Sequence, residues 1–173
     1  MRYLTAAALA LITIFTAAVH VHAIREDAKG WRDAKWGMTT AELKKAFLGR
    51  VKTTEPRTIE NGRLYSDLYL PDASIEGSEY EVTFWMDPKT NELTEIFIKP
   101  ASPGGNKKYI NLYETLLTSI LQKYGNPESF ESDEGSSHRL RAEWQLSSSV
   151  IELNYLRNAD ESELLALKYK EKK

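Results

Sequence analysis

Apolar positions along this chain recur with two periods, and the switches between them mark its elements. In WGMTTAELKKAF (36–47), Leu43, Ala46 and Phe47 fall at helical spacing. Thr39 is a natural N-cap, and Glu42 three residues later can close a capping box, with Met38 and Leu43 placed for a hydrophobic staple. A short helix ending near Gly49 is predicted. Three segments of period two follow: RLYSDLYL (63–70), which stops at Pro71, YEVTFWM (80–86), and ELTEIFIK (92–99), which stops at Pro100. The polar turn DPKTN makes the last two a hairpin.

After ASPGGNKK (101–108) the helical period returns. Tyr109, Tyr113, Leu116, Leu117, Ile120, Leu121 and Tyr124 form one continuous apolar face, with Gly125 placed for the C′ position and Pro127 preventing continuation. At roughly 1.5–3 kcal/mol per fully buried large side chain, such a face requires a sheet to lie on. Three more alternating segments follow: LRAEWQL (140–146), SVIELNYL (149–156) and ELLALKYK (163–170). The order helix, three strands, helix, three strands predicts an α+β fold made of a duplicated αβββ unit. Its pseudo-repeats span about 36–100 and 106–171, with an antiparallel sheet carrying both helices on one face.

The first 23 residues stand apart. Arg2 precedes an apolar-to-small run over 4–19, and Val21-His22-Ala23 fits a small-x-small cleavage site. The run, about 16 residues, is shorter than the roughly 20 that span a bilayer. A cleaved signal peptide (1–23) and a periplasmic or secreted single domain (24–173) are expected, with no integral membrane span after cleavage; an N-terminally anchored protein is the alternative. The chain has no cysteine, which excludes a lipid anchor of the bacterial type and any disulfide framework.

Composition narrows the chemistry by subtraction. Without Arg2, 22 basic residues face 25 acidic ones, so nothing favours a nucleic-acid backbone. Loss of His20 and His22 leaves His138 as the sole histidine. Zinc sites of His and Cys cannot be assembled, Cys nucleophiles are absent, and any Ser–His pair must use His138. Ser137 and His138 are adjacent in an extended segment and point to opposite faces. No Gly-x-Ser-x-Gly elbow and no phosphate-cradling glycine loop occurs. The oxygen-rich runs DPKTNE and ESFESDEGSS lack EF-hand spacing. No metal, cofactor or catalytic residue is expected.

Gly37-Met38-Thr39-Thr40-Ala41-Glu42-Leu43 resembles the Gly-Met-Ser/Thr-x-x-Glu-Val/Leu helix start of small exported bacterial domains of the BamE-like (SmpA/OmlA) and β-lactamase-inhibitor-like kind, and Tyr124-Gly125-Asn126-Pro127 is similar to their helix exit. The likeness covers about a dozen residues, on two different helices, and lacks the lipidation cysteine of the outer-membrane assembly members. It implies an exported bacterial domain that binds rather than catalyses, and transfers no site residue or partner.

Strand parity singles out one surface. If Leu64, Leu68 and Leu70 face the helices, Tyr65, Tyr69, Trp85 and Phe97 share the opposite face. The equivalent positions of the second half are Arg141, Glu143, Gln145, Glu152, Asn154, Lys168 and Lys170. An aromatic patch beside a polar field suits a recognition surface. Its rival is burial under the lead-in REDAKGWRDAKW, whose Trp31 and Trp36 lack an assigned partner. A near-neutral effect of Trp85→Ala or Tyr69→Ala on stability would mark a surface; a loss above about 3 kcal/mol would mark a core.

Glu143 and Glu152 are the best carboxylate pair for acid/base work. A Ser147-Ser148 turn would set them opposite each other but favours Gly and Asn. A longer loop, which puts Gln145 opposite Glu152, is the expected register. The function these features predict is non-enzymatic binding to a protein or another envelope component through the Tyr65, Tyr69, Trp85 and Phe97 face. The alternatives are carriage of an apolar ligand, with those aromatics lining a cleft between sheet and lead-in, and a carboxylate-dependent hydrolase.

Overall fold

A computed structural model describes residues 26–101 and 109–173. The expected leader and its cleavage site lie outside the described residues. Helix α1 (Thr40–Ala46) begins as the sequence predicts: Thr39 Oγ1 accepts the Glu42 N–H at 3.4 Å, and the Glu42 carboxylate accepts the Thr39 N–H at 2.8 Å. Leu43 is fully buried and Phe47 packs on Phe84 with ring centroids 5.4 Å apart. The residues before the cap attach it to the sheet, since Gly37 N–H donates to Leu93 O at 3.1 Å and Leu93 N–H to Met38 O at 2.9 Å.

Helix α2 (Tyr109–Tyr124) buries Leu112, Tyr113, Leu116, Ile120 and Tyr124. Its start is held from a distance: the Glu163 carboxylate accepts the Tyr109 N–H at 2.7 Å and the Tyr155 hydroxyl at 2.8 Å. Gly125, at φ 77°, supplies the left-handed residue that ends the helix, its N–H bonded to Leu121 O at 2.9 Å.

The lead-in forms a two-residue hairpin, β1 (Gly30–Trp31) and β2 (Ala34–Lys35). The remaining strands are β3 (Lys52–Ile59), β4 (Leu64–Ile75), β5 (Ser78–Asp87), β6 (Glu92–Pro100), β7 (Ser129–Glu134), β8 (His138–Gln145), β9 (Ser149–Arg157) and β10 (Glu163–Glu171). They make one antiparallel sheet in the order β3-β4-β5-β6-β10-β9-β8-β7. The result is a sheet-rich α+β fold.

Each helix is therefore followed by four strands, where alternation predicts three. The additional strands, β3 and β7, are the two sheet edges, and almost every residue in them is exposed or half-exposed. A strand that buries no row has no period-two signal to read. Pro56 in β3 is compatible with an edge, and the register slips between Thr53 and Arg57 around it. Nor does β4 stop at Pro71; the residue sits in an irregularity between Leu70 and Ala73.

Two cross-strand rows form the floor under the helices: Phe84, Ile96, Tyr169, Ile151 and Trp144, and beside it Val82, Ile98, Leu167, Leu153 and Ala142. Every member of both is at most 5% exposed. The β6–β10 pairing carries them unbroken from one half of the chain to the other. Phe47, the C-cap of α1, meets Phe84, and Tyr113 of α2 meets Tyr155 at 6.1 Å, so both helices cover the same face.

The lead-in joins them there. Trp31, Ala28 and Ala34 belong to the core cluster, and Trp36 packs against it. Gly30 is dictated by space: at φ 133°, an added Cβ would lie 2.0 Å from Ala34 O. Asp27 accepts both the Ser148 N–H (2.9 Å) and the Ser148 hydroxyl (2.6 Å), and Trp36 Nε1 donates to Ser149 Oγ at 2.9 Å. Residues 26–36 thus latch onto the β8–β9 turn on the helix side and do not cover the opposite face.

Candidate functional site

The helix-free face is built from the alternate rows. Tyr69, Thr83, Phe97, Lys168 and Glu152 lie in register across five strands, and Trp85, Glu95 and Lys170 form a second row beside them. Three of the four aromatics expected here therefore converge. The fourth, Tyr65, does not. The register of β4 slips between Tyr65 and Leu68, which pairs Tyr65 with Met86; it packs against the core cluster, and its hydroxyl donates to Asn91 Oδ1 at 3.2 Å. Strict alternation through an unseen bulge reverses the face of everything before it.

Exposure grades across the patch. Tyr69 and Phe97 are half-buried, whereas Trp85 is 7% exposed and Thr83 2%. Arg57 contributes: from β3 it reaches over β4, donating to Thr83 Oγ1 at 3.3 Å with its guanidinium 5.8 Å from the centre of the Trp85 ring. Lys168 similarly places its ammonium 5.9 Å from the Phe97 ring. Long cationic side chains thus lie beside both rings, and the Glu60–Gly62 turn borders the same face next to Glu95 and Lys170. Arg57 escaped sequence reasoning because it lies on the edge strand that alternation misses.

Glu95 is the other residue not anticipated. It is a lone charge in LTEIFI, 5% exposed, between Trp85 on β5 and Lys170 on β10. Burial raises its carboxyl above the ordinary range, against the pull of Lys168 and Lys170. Glu152 behaves oppositely. Burial alone would raise it, but Lys170 Nζ at 2.8 Å, with Lys168 and Arg141 nearby, holds it below the ordinary range.

The expected register of the second hairpin is corrected. Gln145 pairs with Val150, so Glu143 stands directly opposite Glu152. Ser147 and Ser148 form the turn, closed by Leu146 N–H to Ser149 O at 2.9 Å, and neither adopts positive φ. The like charges are separated by their own partners: Arg141 (2.8 Å) and Gln145 (2.6 Å) donate to Glu143, and Lys170 to Glu152. Arg141, Asn154 and Lys168 complete a polar field on the same face.

Elsewhere, His138 lies edge-on to Tyr155 at 5.6 Å and 3.8 Å from the Glu134 carboxylate. The DPKTNE run is an ordinary turn, with Asp87 accepting the Lys89 N–H at 2.8 Å and pairing with Lys173 at 3.1 Å. No group of three or more metal-ligating side chains occurs among the described residues. No described helix is long and apolar enough to cross a membrane. Comparison with protein-family models and with curated proteins finds no match.

Proposed function

We propose that this is a non-enzymatic binding protein of the bacterial cell envelope, exported by the 1–23 leader, whose contact surface is the helix-free face of the sheet centred on Tyr69, Trp85 and Phe97. The observation that carries this reading is the half-buried pair Tyr69 and Phe97, in register on a face where neither helix nor lead-in lies. Aromatics overlain by flexible cations can be uncovered at small expense. Arg57 and Lys168 exchange a ring for a partner's carboxylate or aromatic, and Trp85 becomes available beneath them. The polar field of Glu143, Glu152, Arg141 and Lys168 supplies a charged rim.

The same reading takes the chain to be a duplication, with the unit now αββββ: α1 and β3 to β6, then α2 and β7 to β10, joined through β6 and β10. The mirrored strand order is its support. Duplication would leave two equivalent sheet halves, of which one has acquired aromatics and the other charges.

Capture from an envelope fraction on the immobilised exported chain tests the binding reading. The Tyr69→Ala/Phe97→Ala double variant is expected to lose at least tenfold of what the parent retains, while its unfolding remains cooperative. Undiminished capture by that variant contradicts the assignment of the face. N-terminal sequencing of the exported product should begin at Ile24; a product beginning at Met1 would indicate an anchored protein instead.

A further inference from the structure

A second candidate site lies on the opposite side of the molecule, independent of the sheet face. The lead-in does not close fully onto α2 and β10: a cleft of about 460 Å³ remains between them. That volume is within the range of small-molecule sites, roughly 300–1,000 Å³. Its floor is apolar, formed by Trp31, Ile75, Leu116, Ile120 and Leu167, and its rim is cationic. Four cations line it, Lys29, Arg32, Lys35 and Lys123, in a chain whose net charge is −2.

The two carboxylates in the lining are already engaged. Glu26 pairs with Lys123 at 3.5 Å, and Asp27 is held by Ser148. Asp33 acts on Arg32 but is not part of the lining. Lys29 is exposed, and its charge acts on the neighbouring Asp27 carboxylate. The Arg32 guanidinium lies 4.5 Å from the Trp31 ring centre and donates to Ser74 O, which fixes it at the mouth. An apolar floor under a rim with four cations to two carboxylates fits neither an inorganic anion, which would leave the floor unused, nor a neutral apolar molecule, which would leave the excess cations unmatched.

We propose that this cleft binds a small organic anion, a carboxylate carried on a flat apolar group, with Lys29 and Arg32 taking the charge and Trp31 and Leu116 the apolar part. This cleft is not the one the apolar-carrier alternative requires, since none of Tyr65, Tyr69, Trp85 and Phe97 lines it.

Calorimetric titration of the full chain with 2-naphthoate, 2-naphthalenemethanol and inorganic phosphate tests it. Naphthoate is expected to bind at least tenfold more tightly than either of the others, and more weakly as salt is added. Lys29→Glu, whose melting temperature is compared with the parent because Lys29 also acts on Asp27, is expected to weaken naphthoate at least tenfold and leave the neutral alcohol unchanged. Ser119→Trp, at the α2 rim, is expected to abolish both; a melting temperature within a few degrees of the parent confirms that it still folds. Tyr69→Ala/Phe97→Ala should have no effect. Equal binding of naphthoate and the alcohol, equal binding of phosphate, indifference to Lys29→Glu, or no heat with millimolar naphthoate would each overturn the proposal.

Discussion

Trp85 and Phe97 share a face but not an environment, and their substitutions should separate accordingly. At 7% exposure beneath Arg57, Trp85 contributes to stability even though no helix covers it. Trp85→Ala is expected to lose about 3 kcal/mol in denaturant unfolding, and Phe97→Ala about 1 kcal/mol. A near-neutral Trp85→Ala would mean that the ring is solvated. Glu95 gives a prediction of opposite sign. Its folded carboxyl titrates above the ordinary range, so the stability linked to its protonated form is present in acid and lost as pH rises through that raised value. Glu95→Gln should therefore raise the melting temperature at pH 7, with the gain shrinking on acidification into the ordinary carboxylate range. Glu152, held low by Lys170, stabilises above the ordinary range and loses that contribution as pH falls. A Glu95→Gln gain that is independent of pH would contradict the burial argument.

At the scale of elements, what was legible in the sequence depended on whether an element's evidence is local. The capping box of α1, the apolar face of α2 and its Gly125 stop are written within a few residues of where they act, and the structure places them there. Six strands were legible because each buries at least one row. The edges β3 and β7 bury none, and the bulges near Tyr65 and Pro71 depend on what lies across the sheet. The Ser147-Ser148 turn is the clearest non-local case. Turn chemistry argues against so tight a connection, but Asp27 of the lead-in and the Lys172 N–H, which donates to Ser148 O at 3.0 Å, hold it in place. Asp27→Ala should therefore destabilise by about 1–2 kcal/mol by leaving Ser148 unsatisfied, and Thr39→Ala by about 1 kcal/mol through the lost cap. Urea unfolding reads both. An Asp27→Ala variant as stable as the parent would show that the latch holds nothing.

At the scale of the whole molecule, the chain divides its labour by face. Both helices and the lead-in crowd one side of an eight-stranded sheet, and on the other side long side chains lie over the surface: Arg57 by Trp85, Lys168 by Phe97, Lys170 on Glu152. Parity anticipated that division and three of the aromatics at its centre; it misplaced Tyr65 and could not see Arg57. The most direct test is hydroxyl-radical footprinting of Tyr69 and Phe97, free and after capture of an envelope component. Both rings should be oxidised in the free protein and at least fivefold protected in the captured complex, with Tyr113 unlabelled throughout. Equal labelling of Tyr69 and Phe97 in the two states would contradict a binding role for this face.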